Sequence, residues 1–135
     1  MVNVSERHQT ETKELAELLQ LIGQPIRIQI LLAIGNSEAC VCHLEAITGM
    51  RQAVISQHLM LLRKAGLVTP NRAGRNIFYR LQDPALLIII SAAARTLGMD
   101  PNDLIKFSSD KLPGCPCPKC EASTDCRKPE KAKDA

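Results

Sequence analysis

The sequence predicts a mainly α domain of about five helices with one small β-hairpin. Three observations carry that prediction. Apolar residues recur at helical spacing in successive stretches, and glycines punctuate them. One segment, Leu67 to Leu81, changes to a strand-like pattern around Arg72-Ala73-Gly74-Arg75. Aromatics are nearly absent (Phe78, Tyr79, Phe107 and no Trp), so the core must be aliphatic, as helical cores commonly are. A chain of 135 residues at 45% hydrophobic supports one domain, with residues to spare at the ends.

Residues 1–8 read as a flexible N-terminal arm. Leu15, Leu18, Leu19 and Ile22 mark a first helix, which Gly23 stops. Pro25 suits the first position of a second helix bearing Ile26, Ile30, Leu31 and Ile34, and Gly35-Asn36 ends it. A short third helix covers about Val41 to Thr48, before Gly49. A fourth runs from about Arg51 to Ala65, with Gly66 in the C-terminal capping position. The hairpin follows. Asp83-Pro84 then fits the N-cap and first turn of a fifth helix, which Gly98 ends. A last short turn starts at Pro101. These elements define a domain over 9–107. From residue 108 to 135 the composition shifts to Pro, Lys, Cys and small polar residues, which reads as a flexible Cys-rich tail.

The fifth helix is apolar nearly all round, from Leu86 to Ala94 with only Ser91 interrupting. Such a helix is buried on both sides. Packed with the first helix it could supply a dimer interface. A fully buried central helix in a monomer is the alternative.

Charge narrows the function. Residues Ala46 to Gln82 contain no Asp or Glu but carry Arg51, Arg63, Lys64, Arg72, Arg75 and Arg80, against a net charge of only +3 for the whole chain. A compact basic helix and hairpin is the footprint of a module that lies on a phosphate backbone. Scarce aromatics argue against single-stranded nucleic acid, which is bound by base stacking. The polar first thirteen residues lack the apolar stretch of a secretory signal. The longest apolar run is about half of the roughly 20 residues a membrane span needs. A soluble, cytoplasmic protein is expected, in which six cysteines point to metal or redox chemistry rather than a disulfide framework.

The third helix, the turn at Gly49-Met50 and the fourth helix form a helix-turn-helix, and the hairpin is its wing. On the fourth helix, Ala53, Val54, Leu59, Leu62 and Ala65 can face the core. Arg51, Gln52, Ser56, Gln57 and Arg63 can face outward. A recognition helix needs that arrangement, because its first residues reach base edges in the major groove. Gln pairs with adenine, Arg with guanine, and Ser with base or phosphate. Arg72 and Arg75, flanking Gly74, could reach phosphates or a minor groove.

Three blocks then resemble one family: residues 51–59 (Arg51 to Leu59), 62–68 (Leu62 to Val68) and 74–81 (Gly74 to Leu81). They are similar to the ArsR/SmtB winged-helix metal-sensing repressors, over about Leu15 to Leu97. The resemblance implies a homodimer on double-stranded operator DNA and release when inducer binds. His58 matches a family position. It is read as packing within the motif or meeting a phosphate rather than holding a metal.

Glu38-Ala39-Cys40-Val41-Cys42-His43-Leu44 is similar to the metal-binding stretch of arsenic- and cadmium-responsive members. Residues two apart on a helix point in different directions, so Cys40 and Cys42 could share an ion only if the first turn distorts. Two thiolates are too few. Trivalent arsenic or antimony takes about three sulfurs, and cadmium, lead or zinc about four ligands. Other family solutions are missing: Glu45 stands where some arsenic sensors have Cys, the N-terminal arm has no Cys, and the fifth helix lacks the zinc-sensor set. Cys115, Cys117 and Cys120 remain, in a proline-rich stretch able to reach across, from the same subunit or the other. Cys126 is the weakest candidate.

The tail could instead form its own four-sulfur site, structural or sensory, from Cys115, Cys117, Cys120 and Cys126; a zinc-stabilised DNA-binding module without switching is a further alternative. Cys42 and a tail cysteine could also sense oxidants or sulfur species by forming a disulfide or polysulfide. An enzyme is not expected. His43 adjoins Cys42, but no Asn or Asp orients it, and no oxyanion loop or cofactor motif is present.

Overall fold

The computed structural model describes residues 4–104. The order is α1 (Val4–Ile22), α2 (Pro25–Ile34), β1 (Glu38–Cys40), α3 (Val41–Thr48), α4 (Gln52–Lys64), β2 (Val68–Ala73), β3 (Asn76–Leu81) and α5 (Ala85–Thr96). A helical turn follows at 101–104. The fold is a winged helix-turn-helix, mostly helical, with one antiparallel sheet in the order β1-β3-β2. Among the described residues no single helix is long and apolar enough to cross a membrane.

The second helix is the centre of the core. Pro25 occupies its first turn, where a missing N–H costs nothing. Ile30 through Ile34 are all buried, and α3, α5, β1 and β3 pack around them. Leu44 from α3, with Ile55, Leu59 and Leu62 from α4, completes the aliphatic cluster. Gly49 makes the turn between α3 and α4: its φ of +73° is left-handed, and its N–H donates to Glu45 O at 2.8 Å. The α4 end is closed by two bonds, Leu67 N–H to Leu62 O at 2.9 Å and Gly66 N–H to Arg63 O at 3.0 Å. This double closure fixes the angle at which the chain leaves α4 for the wing.

In the wing, Ala73 pairs with Asn76 and the two residues between them form the turn. Gly74 has a φ of +63°, the positive first position that matches a two-residue loop to the twist of its strands.

The structure changes several expectations. The two-stranded hairpin is part of a three-stranded sheet, because β1 pairs with β3 in the register Glu38↔Arg80, Ala39↔Tyr79 and Cys40↔Phe78. Three residues carry no periodicity of their own, and the pairing partner lies about forty residues away. The first helix begins at Val4, so residues 4–8, read as an arm, are helical. The fifth helix is not buried on both sides. Leu86, Leu87, Ile90 and Ala94 face the core, whereas Ile88 is 69% exposed. Leu97, just beyond the helix, is 72% exposed, and Leu15 and Leu19 of α1 are also exposed. The single chain thus leaves apolar surface on α1 and α5 uncovered, which removes the fully enclosed α5. The 108–135 segment, with Cys115, Cys117, Cys120 and Cys126, lies outside the described residues.

Candidate functional site

Two groups of side chains stand at opposite ends of the helix-turn-helix. The first is at the entrance to α3. Cys40 ends β1 in extended conformation, φ −88° and ψ 168°, and is the N-cap residue of α3. Cys42 is the second residue of that helix. The strand-to-helix corner folds the two side chains toward each other, and their Sγ atoms lie 2.9 Å apart. The expected need to distort the helix is therefore corrected: Cys40 lies before the helix, and a corner does what a helical turn cannot. Cys40 is buried and opposite Phe78 of β3, so the pair joins the wing sheet to the first helix of the motif. His43 is buried beside it, its Nε2 enclosed by protein.

These sulfurs fit part of a thiophilic site. Two ligands on a tetrahedral ion at about 2.3 Å stand about 3.8 Å apart, so they would have to separate by about 0.9 Å. Among the described residues no group of three or more His, Cys, Asp or Glu could hold a metal ion.

The second group is the surface of α4 and the wing. Arg51, Gln52, Ser56, Gln57 and Arg63 are exposed, as the sequence suggested. At 100° per residue, Gln52, Ser56 and Arg63 share one flank, with Gln57 on the outer face. Arg72 and Arg75 are exposed at the wing tip. Two assignments are corrected: Ala53 and Ala65 are exposed, and Ile55 takes the core position instead. The helix is rotated so that Ile55, Leu59 and Leu62 form its buried stripe.

His58 lies on the other flank, half-buried. Its Nδ1 accepts from Arg27 Nε at 3.2 Å, while Arg27 Nη1 donates to Leu21 O at 2.8 Å. One arginine of α2 thus ties the end of α1 to the middle of α4. Burial, and secondarily the Arg27 guanidinium, hold the His58 pKa below its ordinary value. The bond joins His58 to a residue outside the helix-turn-helix. Arg27 was missed, although it is the only charged residue in α2, and a lone cation in an enclosed apolar helix signals an anchor.

A family profile described as "Bacterial regulatory protein, arsR family" matches residues 24–69, from the start of α2 into β2. The HTH-type transcriptional repressor SmtB of Mycobacterium tuberculosis is 40% identical over 84 residues, 62% of each chain. The biofilm growth-associated repressor of Agrobacterium fabrum is 37% identical over 79 residues, 58% of this chain and 68% of that protein. The chain belongs to the ArsR/SmtB family. This ArsR/SmtB chain spans 62% of the length of the SmtB repressor it matches. Its fold is also that of NolR from Sinorhizobium fredii, with a TM-score of 0.64 at 28% identity, covering 73% of this chain and 99% of that one. The matched profile contains both cysteines of the sulfur pair and the whole of α4.

Proposed function

We propose that this chain is a cytoplasmic transcriptional repressor that binds double-stranded operator DNA as a homodimer and leaves it when a thiophilic ion binds. The ion is arsenite or antimonite, or cadmium or lead, with zinc as a further candidate. Cys40 and Cys42 supply two thiolates, and one or two of Cys115, Cys117 and Cys120 complete the set. The observation that carries the reading is the position of the sulfur pair. Cys40 is paired into the wing sheet and Cys42 stands in the first turn of α3, so a change at the pair reaches the wing sheet and the helix on which α4 packs.

Each residue has a part. Gln52, Ser56 and Gln57 present hydrogen-bonding groups to base edges, and Arg51 and Arg63 flank them. Arg72 and Arg75 extend the positive surface to phosphates beside the groove. Arg27 and His58 hold α4 at its angle. The Cys40 and Cys42 thiolates would hold part of a soft ion's coordination sphere, which would fix their separation. A change in that separation would move the end of β1 against the first turn of α3. Because α3 packs on α4, that movement would tilt the reading face. The exposed Leu15, Leu19, Ile88 and Leu97 support pairing through α1 and α5. Such a pair would set two α4 helices toward major grooves about one DNA turn apart.

A second reading takes Cys42, set at the corner beside Cys40, together with a tail cysteine. Loss of two electrons and two protons from those two thiols to a peroxide or polysulfide would give a sulfur–sulfur bond between them. One gel-shift series tests both. Full-length protein on operator duplex is challenged with arsenite, antimonite, cadmium, lead and peroxide, and the series is repeated on a chain ending before Cys115. Release by one ion, reversed by a chelating dithiol and weakened by truncation, is expected. Release by oxidant and reversal by simple reductant would favour the second reading. No release under any condition would overturn both.

A further inference from the structure

We infer that Ala53 and Met60 read the 5-methyl groups of thymine from the outer face of α4. The inference rests on the operator-binding reading above and goes beyond it by naming apolar readers. Ala53, Ser56, Gln57 and Met60 fall at i, i+3, i+4 and i+7, which places them on one helical face. All four are exposed, Met60 by 58%. The buried stripe of Ile55, Leu59 and Leu62 lies opposite. The exposed stripe therefore has an apolar group at each end and two hydrogen-bonding groups between.

An exposed apolar side chain alone means little. This pair is distinguished by size and order. A recognition helix comes closest to the base pairs at its N-terminal end. There the small Ala53 allows close approach and offers a single methyl. Seven residues on, where the helix lies farther from the groove floor, the long and flexible Met60 spans the gap. An A·T pair displays a thymine methyl beside the adenine N6 and N7 edge, so apolar groups flanking Gln57 match that surface. Ala53 and Met60 are about 10 Å apart along the axis, roughly three base-pair steps. The two methyls should be separated by that spacing in each half-site.

The test leaves protein folding out of the first measurement. Wild-type full-length chain selects duplexes from a random library, and each half-site thymine is then replaced singly by deoxyuridine, which removes only the methyl. Competition gel shifts should show about fourfold weaker binding at two positions per half-site, the effect of one buried methyl each. Ala53→Gly should erase the loss at one position and Met60→Ala at the other, with circular dichroism confirming folded variants. Wild-type protein that binds its selected duplex equally well with every deoxyuridine replacement overturns this inference alone. Failure to select any duplex overturns the operator-binding reading, and this inference with it.

Discussion

The entrance to α3 and the outer face of α4 belong to one helix-turn-helix but have opposite surroundings. At the entrance, Cys40 is buried, Cys42 is half-buried, and backbone pairing ties Cys40 to β3. On α4, the proposed reading residues are exposed to solvent. Enclosure suits a sensor, because a small displacement among packed atoms cannot be absorbed locally. Exposure suits a reader, whose hydrogen bonds must remain available for bases. The difference teaches that grip and release should be separable by substitution.

Cysteine changes provide the strongest separation. Cys40→Ser or Cys42→Ser should raise the ion concentration for half-release by about 100-fold or more, since loss of even a supporting contact costs 10–100-fold in metal sites. Operator affinity without ion should stay within about twofold, as measured by gel-shift titration. Normal release from either variant would remove the entrance from the switch. Gln52→Ala or Ser56→Ala should do the reverse, relaxing base preference by about 1–3 kcal/mol per lost contact while leaving the ion response unchanged. A selection experiment giving the wild-type consensus would move the reader off this face.

The wing probes a third, less specific contribution. Arg72→Ala with Arg75→Ala should weaken binding to all sequences and flatten the slope of log affinity against log salt by about 1.8, at about 0.9 per phosphate contact. An unchanged slope would take the wing off the duplex. The smallest expected effect lies between the two regions, at His58. Its folded pKa is lowered, so the folded state disfavours the proton that an unfolded His accepts below about 6.5. This contribution to stability is fully present above that value and is lost as pH falls from it through the lowered folded pKa. His58→Gln should reduce the acid sensitivity of urea midpoints between about pH 7 and pH 5. Identical pH profiles would show that Arg27 and His58 do not hold α4.

Much of this arrangement was legible in the sequence because it is local. Glycine stops, the period change at Leu67 and the acid-free window are written in consecutive residues, and they locate the helices, the hairpin and the basic face. What escaped is non-local. The β1 strand exists through its pairing with Phe78 to Arg80, and no pattern within Glu38-Ala39-Cys40 announces it. Without it, Cys40 and Cys42 read as neighbours at a helix start, where their sulfurs could meet only through distortion of the first turn. The rotation of α4 escaped for a related reason. Alanine is compatible with core or surface, so only packing in the folded core decides that Ile55 is enclosed and Ala53 is not. Arg27 was equally opaque, since its partners Leu21 and His58 sit on two other helices.

The central strand of the sheet has a consequence for how this chain can change. On one side β3 aligns Phe78 with Cys40, and on the other it aligns the same residue with Asn71. Inserting or deleting one residue between 76 and 81 would turn every later side chain to the opposite side of the pleat. Both neighbouring strands would lose their alignment in a single event. Among these elements, β3 is therefore the one whose length evolution is least able to edit, even where its individual side chains are replaceable.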